Sequence, residues 1–342
     1  RHFIGPDRVD DVTLGVPFRV QSRRTDDLLG PAAAAGFTLA FSRTQLEAAV
    51  QAGAPVLGLF ASSSMADAFT ERRAVADPAR TAPTLREMTE AALTVLSRSE
   101  VGFFLMVEAG QIDWAGHDND AGWMLAEMQR MDDTLAALLA FVDGRDDTLL
   151  VVTADHETGG FGFSYGAHDK PDAVPPPGPG FGGLPYKPSY NFGRPEQLDL
   201  LARQSAPLQA TLAALTPPVT AAALVAAMAA STPYTISEAQ AAAALAMEPD
   251  RFAKEDDAAH VHVIHDFRAY YPYLSDGPQG VLGRVLSEQQ NVVWSTGTHT
   301  HTPVPVFAVG PAGATAPFGG LLHHAEVGAL LAAALGLADP AP

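Results

Sequence analysis

Val107-Glu108-Ala109-Gly110-Gln111-Ile112-Asp113-Trp114-Ala115-Gly116-His117 decides how this chain is read. It continues an apolar run, Gly102-Phe103-Phe104-Leu105-Met106-Val107, with the composition of a buried strand, and it leads into a helical stretch. A carboxylate directly behind such a run, then Asp113 and His117 four residues apart, is how a sheet edge presents metal ligands. Two further stretches share the pattern. Leu149 to Ala154 is apolar and delivers Asp155 and His156, while Ser295 to Thr302 carries His299 and His301 ahead of a strand expected at Val304 to Val309.

The remaining composition narrows the chemistry. A chain of 342 residues, 47% of them apolar, can bury a large core, as one large domain or a domain with a big insertion. Cysteine is absent, so any metal site must be built from imidazole and carboxylate. A net charge of -18 argues against nucleic acid and anionic membranes as partners. It suits a soluble or exported surface, and an anionic substrate would need metal ions or arginines to reverse the sign locally. The longest run of small apolar residues, Thr220 to Ala230, falls short of the ~20 needed for a membrane span. Arg1 to Pro6 has no apolar segment of the signal-peptide kind.

Along the chain, helical and strand patterns alternate. Helices are expected at Thr25 to Ala35, Thr44 to Ala52 and Thr84 to Leu96, the last capped by Thr84 with Glu87 three residues on. A long one is expected from Asp120 to Phe141, where Met124, Met128, Met131, Leu135 and Leu138 share one face as ordinary core. Strands are expected at Gly36 to Ala40, Pro55 to Phe60, 102–107 and 149–154. This alternation predicts an α/β fold, a parallel-rich sheet with helices on both faces and ligands at the carboxyl ends of its strands. Residues 166–290, first rich in proline and glycine and then in alanine, read as a loop and helical insertion, a packing elaboration, lid or subunit contact. Ser237-Glu238-Ala239-Gln240 starts a helix within it. The core is then 1–165 and 291–342, closed by a helix from Ala325 to Leu335.

Three motifs in order, Val-Glu-x-Gly-x-Ile-Asp-x-x-x-His at 107–117, Thr-Ala-Asp-His-Glu-Thr-Gly-Gly at 153–160 and Thr-Gly-x-His-Thr with Val-Pro-Val-Phe-Ala-x-Gly-Pro at 304–311, resemble alkaline phosphatase. The resemblance implies that family's three-layer fold, two zinc ions and one magnesium ion. Asp113, His117 and His299 would hold the first zinc, Asp155 and His156 part of the second, and Glu108 the magnesium. His299 stands eleven residues before Gly310, as the family's histidine does before its Gly-Pro; His301 is the second imidazole in reach and stays an alternative. Trp114, where family members carry Lys, His or Trp, would tune phosphate or magnesium contacts. Glu157, Thr158, His323 and His324 read as structural.

The resemblance further implies hydrolysis of phosphate monoesters through a phosphoserine, with inorganic phosphate as product, a periplasmic or secreted location and a possible homodimer. The family's Asp-Ser-Ala nucleophile motif does not occur here. Ser62-Ser63-Ser64-Met65 is the nearest serine cluster, after a strand the family places elsewhere. Arg1-His2-Phe3 followed by Asp11-Val12-Thr13-Leu14-Gly15 resembles the middle of such an enzyme. This chain is therefore expected to be a C-terminal portion that needs an N-terminal portion and is inactive alone. Two alternatives remain: a phosphodiesterase or sulfatase of the same superfamily, and an inactive, metal-stabilised binding module.

Overall fold

The computed structural model describes residues 28–61, 64–166, 170–175, 182–246 and 277–337, with the backbone alone of 248–249, 260–263 and 275–276. The reading of Arg1 to Gly15, the first residues of the 25–35 helix, and Ser62 and Ser63 lie outside them. The chain divides into two compact units. One comprises Gly110–Met128 with Thr153–Pro305, and the other the remainder; helix Ala121–Val142 belongs partly to each.

The remainder contains the parallel pair Thr38–Ala40 and Val56–Gly58, in register Thr38↔Val56. Helix Arg43–Ala52 connects them. Ser42 caps its start by accepting from the Gln45 amide, and Gly53 ends it at φ 74°, a conformation costly for any side chain. Leu29 and Phe41 are buried there with Leu39, Leu57 and Leu59 against them.

Helix Leu85–Leu96 begins with the capping box read from the sequence: Thr84 Oγ1 accepts from the Glu87 amide, and the Thr84 amide donates to Glu87 Oε2. Arg80 adds a two-pronged contact, Nη1 and Nη2 each 2.8 Å from a Glu87 oxygen. That guanidinium holds the Glu87 carboxyl below its ordinary range. Replacing Thr84 by alanine strips the first turn of one acceptor and is expected to cost about 1 kcal/mol. Hydrogen exchange should show this as faster exchange at the Glu87 amide.

One expected element differs. Residues 102–107 form no ladder among the described residues. The pleated alternation survives, with Phe104 and Met106 exposed (59% and 73%) and Phe103, Leu105 and Val107 partly covered. Composition sets that alternation, but a strand also needs a hydrogen-bonding neighbour, and none of the described strands supplies one. Leu150–Val152 does pair, antiparallel, with Phe307–Val309.

The second unit is built on helices. Pro195–Leu201, Leu208–Ala213, Ala221–Ser231, Glu238–Ala244 and Pro278–Gln290 enclose Leu201, Leu208, Leu224, Met228, Leu282 and Leu286. In the alanine-rich helix Ala221–Ser231, Leu224 and Met228 are the buried side chains, four residues apart on one face. Ser237 and Gln240 form the capping box of the next helix. Two short antiparallel pairs bring the ends of the unit together. Gly162–Phe163 pairs with Val292–Val293, and Glu157–Thr158 pairs with His299–Thr300 in register His299↔Thr158. No described helix is long and apolar enough to cross a membrane.

Candidate metal centre

The site lies within the second unit. Helix Gln111–His117 is short, and its 3.6-residue period sets Asp113 and His117 on one face. The strand register sets His299 beside Thr158, close to that face. Asp113 Oδ2 is 3.4 Å from His117 Nε2, Asp113 Oδ1 is 3.4 Å from His299 Nε2, and the two Nε2 atoms are 3.1 Å apart. Donor atoms of the three residues all lie within 4.8 Å of one another.

The hydrogen bonds explain why these atoms face inward. His117 Nδ1 is 2.8 Å from the Gly297 carbonyl, which can only accept. The ring therefore carries its proton on Nδ1 and, when neutral, turns a bare Nε2 lone pair toward His299 and Asp113. Two imidazole nitrogens and a carboxylate converging in this way suit zinc. About 3.3 Å is the edge of a tetrahedron with ~2.0 Å bonds, and the observed separations fall near it. The donor set fits the ion.

His156 lies alongside. Its ring stacks on His299 with centroids 3.5 Å apart, and its Nε2 is 3.2 Å from Asp155 Oδ2. Asp155 and His156 thus face one another as a second pair of donors, without a third described residue in the cluster. Thr158 Oγ1 touches both groups, 2.6 Å from Asp113 Oδ1 and 3.2 Å from His156 Nδ1.

The other candidates are placed as follows. Trp114 is half-exposed on the site's helix, beside Asp113. His301 is exposed and outside the three-residue group that includes His299. Glu108 is exposed and belongs to the other unit. Glu157 accepts from the amides of Gly160 and Phe161 and from the hydroxyl of Thr300, so it holds the turn beneath the site. His323 caps the closing helix, His324–Ala334, by accepting at the Ala325 amide.

Two residues escaped the reading of the sequence. Asn119 is fully buried; its Nδ2 donates to the carbonyls of Gly116 at 2.9 Å and Thr296 at 2.8 Å. It ties the end of the Asp113 helix to the loop leading to His299. At Gly159, φ is 91° and an added Cβ would sit 2.9 Å from the Gly116 carbonyl, so glycine is required where strand Glu157–Thr158 turns beneath that helix. Asp120 is a different kind of buried carboxylate. Burial pushes its carboxyl up, while donors from Trp123, Leu208 and Gln204 oppose the shift, and it serves as a cap for the following helix.

Known proteins similar to this chain are phosphatases. Residues 10–175 match the family model for alkaline phosphatase. Over 112 residues the chain is 42% identical to alkaline phosphatase 3 of Bacillus subtilis, a match covering 33% of this chain and 22% of that protein. It is 35% identical over 172 residues to the streptomycin-6-phosphate phosphatase of Streptomyces griseus, covering 44% and 37%. The crystal structure of Thermus thermophilus alkaline phosphatase superimposes with a TM-score of 0.63 at 27% identity, covering 94% of this chain and 61% of that one. The chain thus spans less than two thirds of the relatives it matches. The helices and short sheets are those of the family's α/β fold, and Asp113, His117 and His299, from two of the motifs that resemble it, meet at one place. The chain is thus similar to the alkaline phosphatase family, in sequence over residues 10–175 and in fold over most of its length.

Proposed function

We propose that this chain carries the metal-binding portion of a phosphomonoesterase. The observation that supports it best is the convergence of Asp113, His117 and His299, with Asp155 and His156 beside them. Zinc bound there would neutralise charge on a phosphoryl oxygen and make a bound water more acidic. The residues of the chain do the rest. Asp113 brings the negative charge that keeps the cation; the Gly297 carbonyl holds the His117 tautomer; and Asp155 with His156 supplies two further donors for a second zinc. Glu108 is the proposed magnesium ligand, and Trp114 borders the substrate. A local positive field of this kind would let a protein of net charge -18 accept an anionic monoester and release inorganic phosphate.

The reaction proceeds through a phosphoserine in this reading. Because the sequence has no Asp-Ser-Ala motif, we assign the nucleophilic serine to a segment outside these 342 residues. Residues 1–165 and 291–342 form the catalytic core in this reading, and 166–290 an insertion. The test is p-nitrophenyl phosphate hydrolysis with added zinc and magnesium. The 342-residue chain is expected to hold zinc and show no turnover above the metal-only blank. A longer protein that includes the serine segment is expected to hydrolyse the monoester in strong preference to a diester. Robust turnover by the 342-residue chain that disappears in His299→Ala would locate the nucleophile inside it and overturn the assignment.

A further inference from the structure

Thr158 sits between the two pairs of donors, and its hydroxyl has one hydrogen to give. The Asp113 carboxylate can only accept, so the 2.6 Å contact is Thr158 donating to Oδ1. The hydroxyl oxygen is then left as an acceptor toward His156, and the 3.2 Å contact places the ring proton on Nδ1. A neutral His156 with Nδ1 protonated turns a bare Nε2 toward Asp155. One chain of hydrogen bonds therefore runs from His156 through Thr158 to Asp113. The position is built for it: Thr158 is 8% exposed and packs so closely under the Asp113 helix that a Cβ on Gly116 would lie 2.9 Å from Thr158 Cγ2.

We propose that Thr158 is a positioning residue that couples the two metal-ligand groups, holding the Asp113 carboxylate in place and fixing the His156 tautomer. The proposal deepens the metal-centre reading and rests on it. Groups that hydrogen-bond to metal ligands typically change affinity by ~10–100-fold when lost. Valine is the informative replacement, because it keeps the Cγ2 branch that packs on Gly116 and puts a methyl in place of the hydroxyl. Serine keeps the hydroxyl and loses the methyl.

The experiment is zinc titration of the full chain against a chromophoric chelator. It is paired with histidine ¹⁵N shifts, which distinguish Nδ1-protonated from Nε2-protonated rings. Thr158→Val is expected to bind zinc ~10–100-fold more weakly and to lose the Nδ1-protonated signature at His156. Thr158→Ser is expected to restore both. Unchanged affinity and shifts in Thr158→Val would reduce Thr158 to packing and overturn the proposal. So would Thr158→Ser failing as badly as Thr158→Val, since the hydroxyl would then not be the group that matters. A wild-type chain that takes up no zinc would overturn the metal-centre reading itself, a result distinguishable from either.

Discussion

Asp113→Ala is expected to lower zinc affinity by about a thousandfold, equivalent to ~4 kcal/mol. Asp113 is the one negatively charged member of the three converging residues, and both of its oxygens face imidazole nitrogens at 3.4 Å. Its loss leaves two neutral donors, and it also removes the acceptor of the Thr158 hydroxyl. A native state that binds a ligand gains RT ln(1 + [L]/Kd), about 2.7 kcal/mol at a hundred times Kd. At the same zinc concentration a thousandfold weaker site gains under about 0.1 kcal/mol.

The readout follows from the sequence. All three tryptophans, Trp114, Trp123 and Trp294, lie in the unit that carries the site, so fluorescence reports on that unit. Zinc should raise the urea midpoint of the wild-type chain and leave that of Asp113→Ala unmoved. His301→Ala, altering an exposed imidazole outside the group, should respond like wild type. A zinc response that survives in Asp113→Ala would place the ion elsewhere. One that vanishes in His301→Ala would make His301 the ligand in place of His299.

What the sequence disclosed here, and what it withheld, divides by distance along the chain. The Thr84–Glu87 and Ser237–Gln240 boxes were legible because both partners lie three residues apart. So was the Asp113–His117 pair, which needs only a helical turn. His299 is 182 residues from His117, and spacing alone could not join them; the family resemblance did. Thr158 and Asn119 carried no comparable signal. A threonine two residues after His156 and an asparagine two residues after His117 are common loop chemistry, and their partners at Asp113 and Thr296 become visible only in three dimensions. The misread run 102–107 has the same cause in reverse. Its composition is local, but a ladder is a property of two segments.

Asn119→Ala should produce the largest loss of stability, about 3 kcal/mol in the unit that carries the site. Three costs add. Asn119 Nδ2 donates to the Thr296 carbonyl, which has no other hydrogen bond among the described residues, and orphaning such a buried acceptor costs ~1–3 kcal/mol. The Gly116 carbonyl keeps the Asn119 amide but loses the side-chain amide, and Arg284 Nη1 loses its 3.1 Å contact with Oδ1. Finally, Asn119 has φ 51°, a left-handed conformation that asparagine tolerates and alanine pays about 1 kcal/mol to adopt.

Asn119→Gly separates these terms. It removes the same side-chain hydrogen bonds while relieving the backbone, so its tryptophan-monitored urea midpoint should fall between those of wild type and Asn119→Ala. Zinc affinity should fall in both variants. The carbonyls of Thr296 and Gly297 are the two adjacent points at which the His299 loop is tied to the helix of Asp113 and His117, and Asn119 holds the first of them. If Asn119→Ala unfolds within about 0.5 kcal/mol of wild type, the typical range for a surface change, then this clamp does not organise the site. The strand pairing of His299 with Thr158 would then have to carry that task alone.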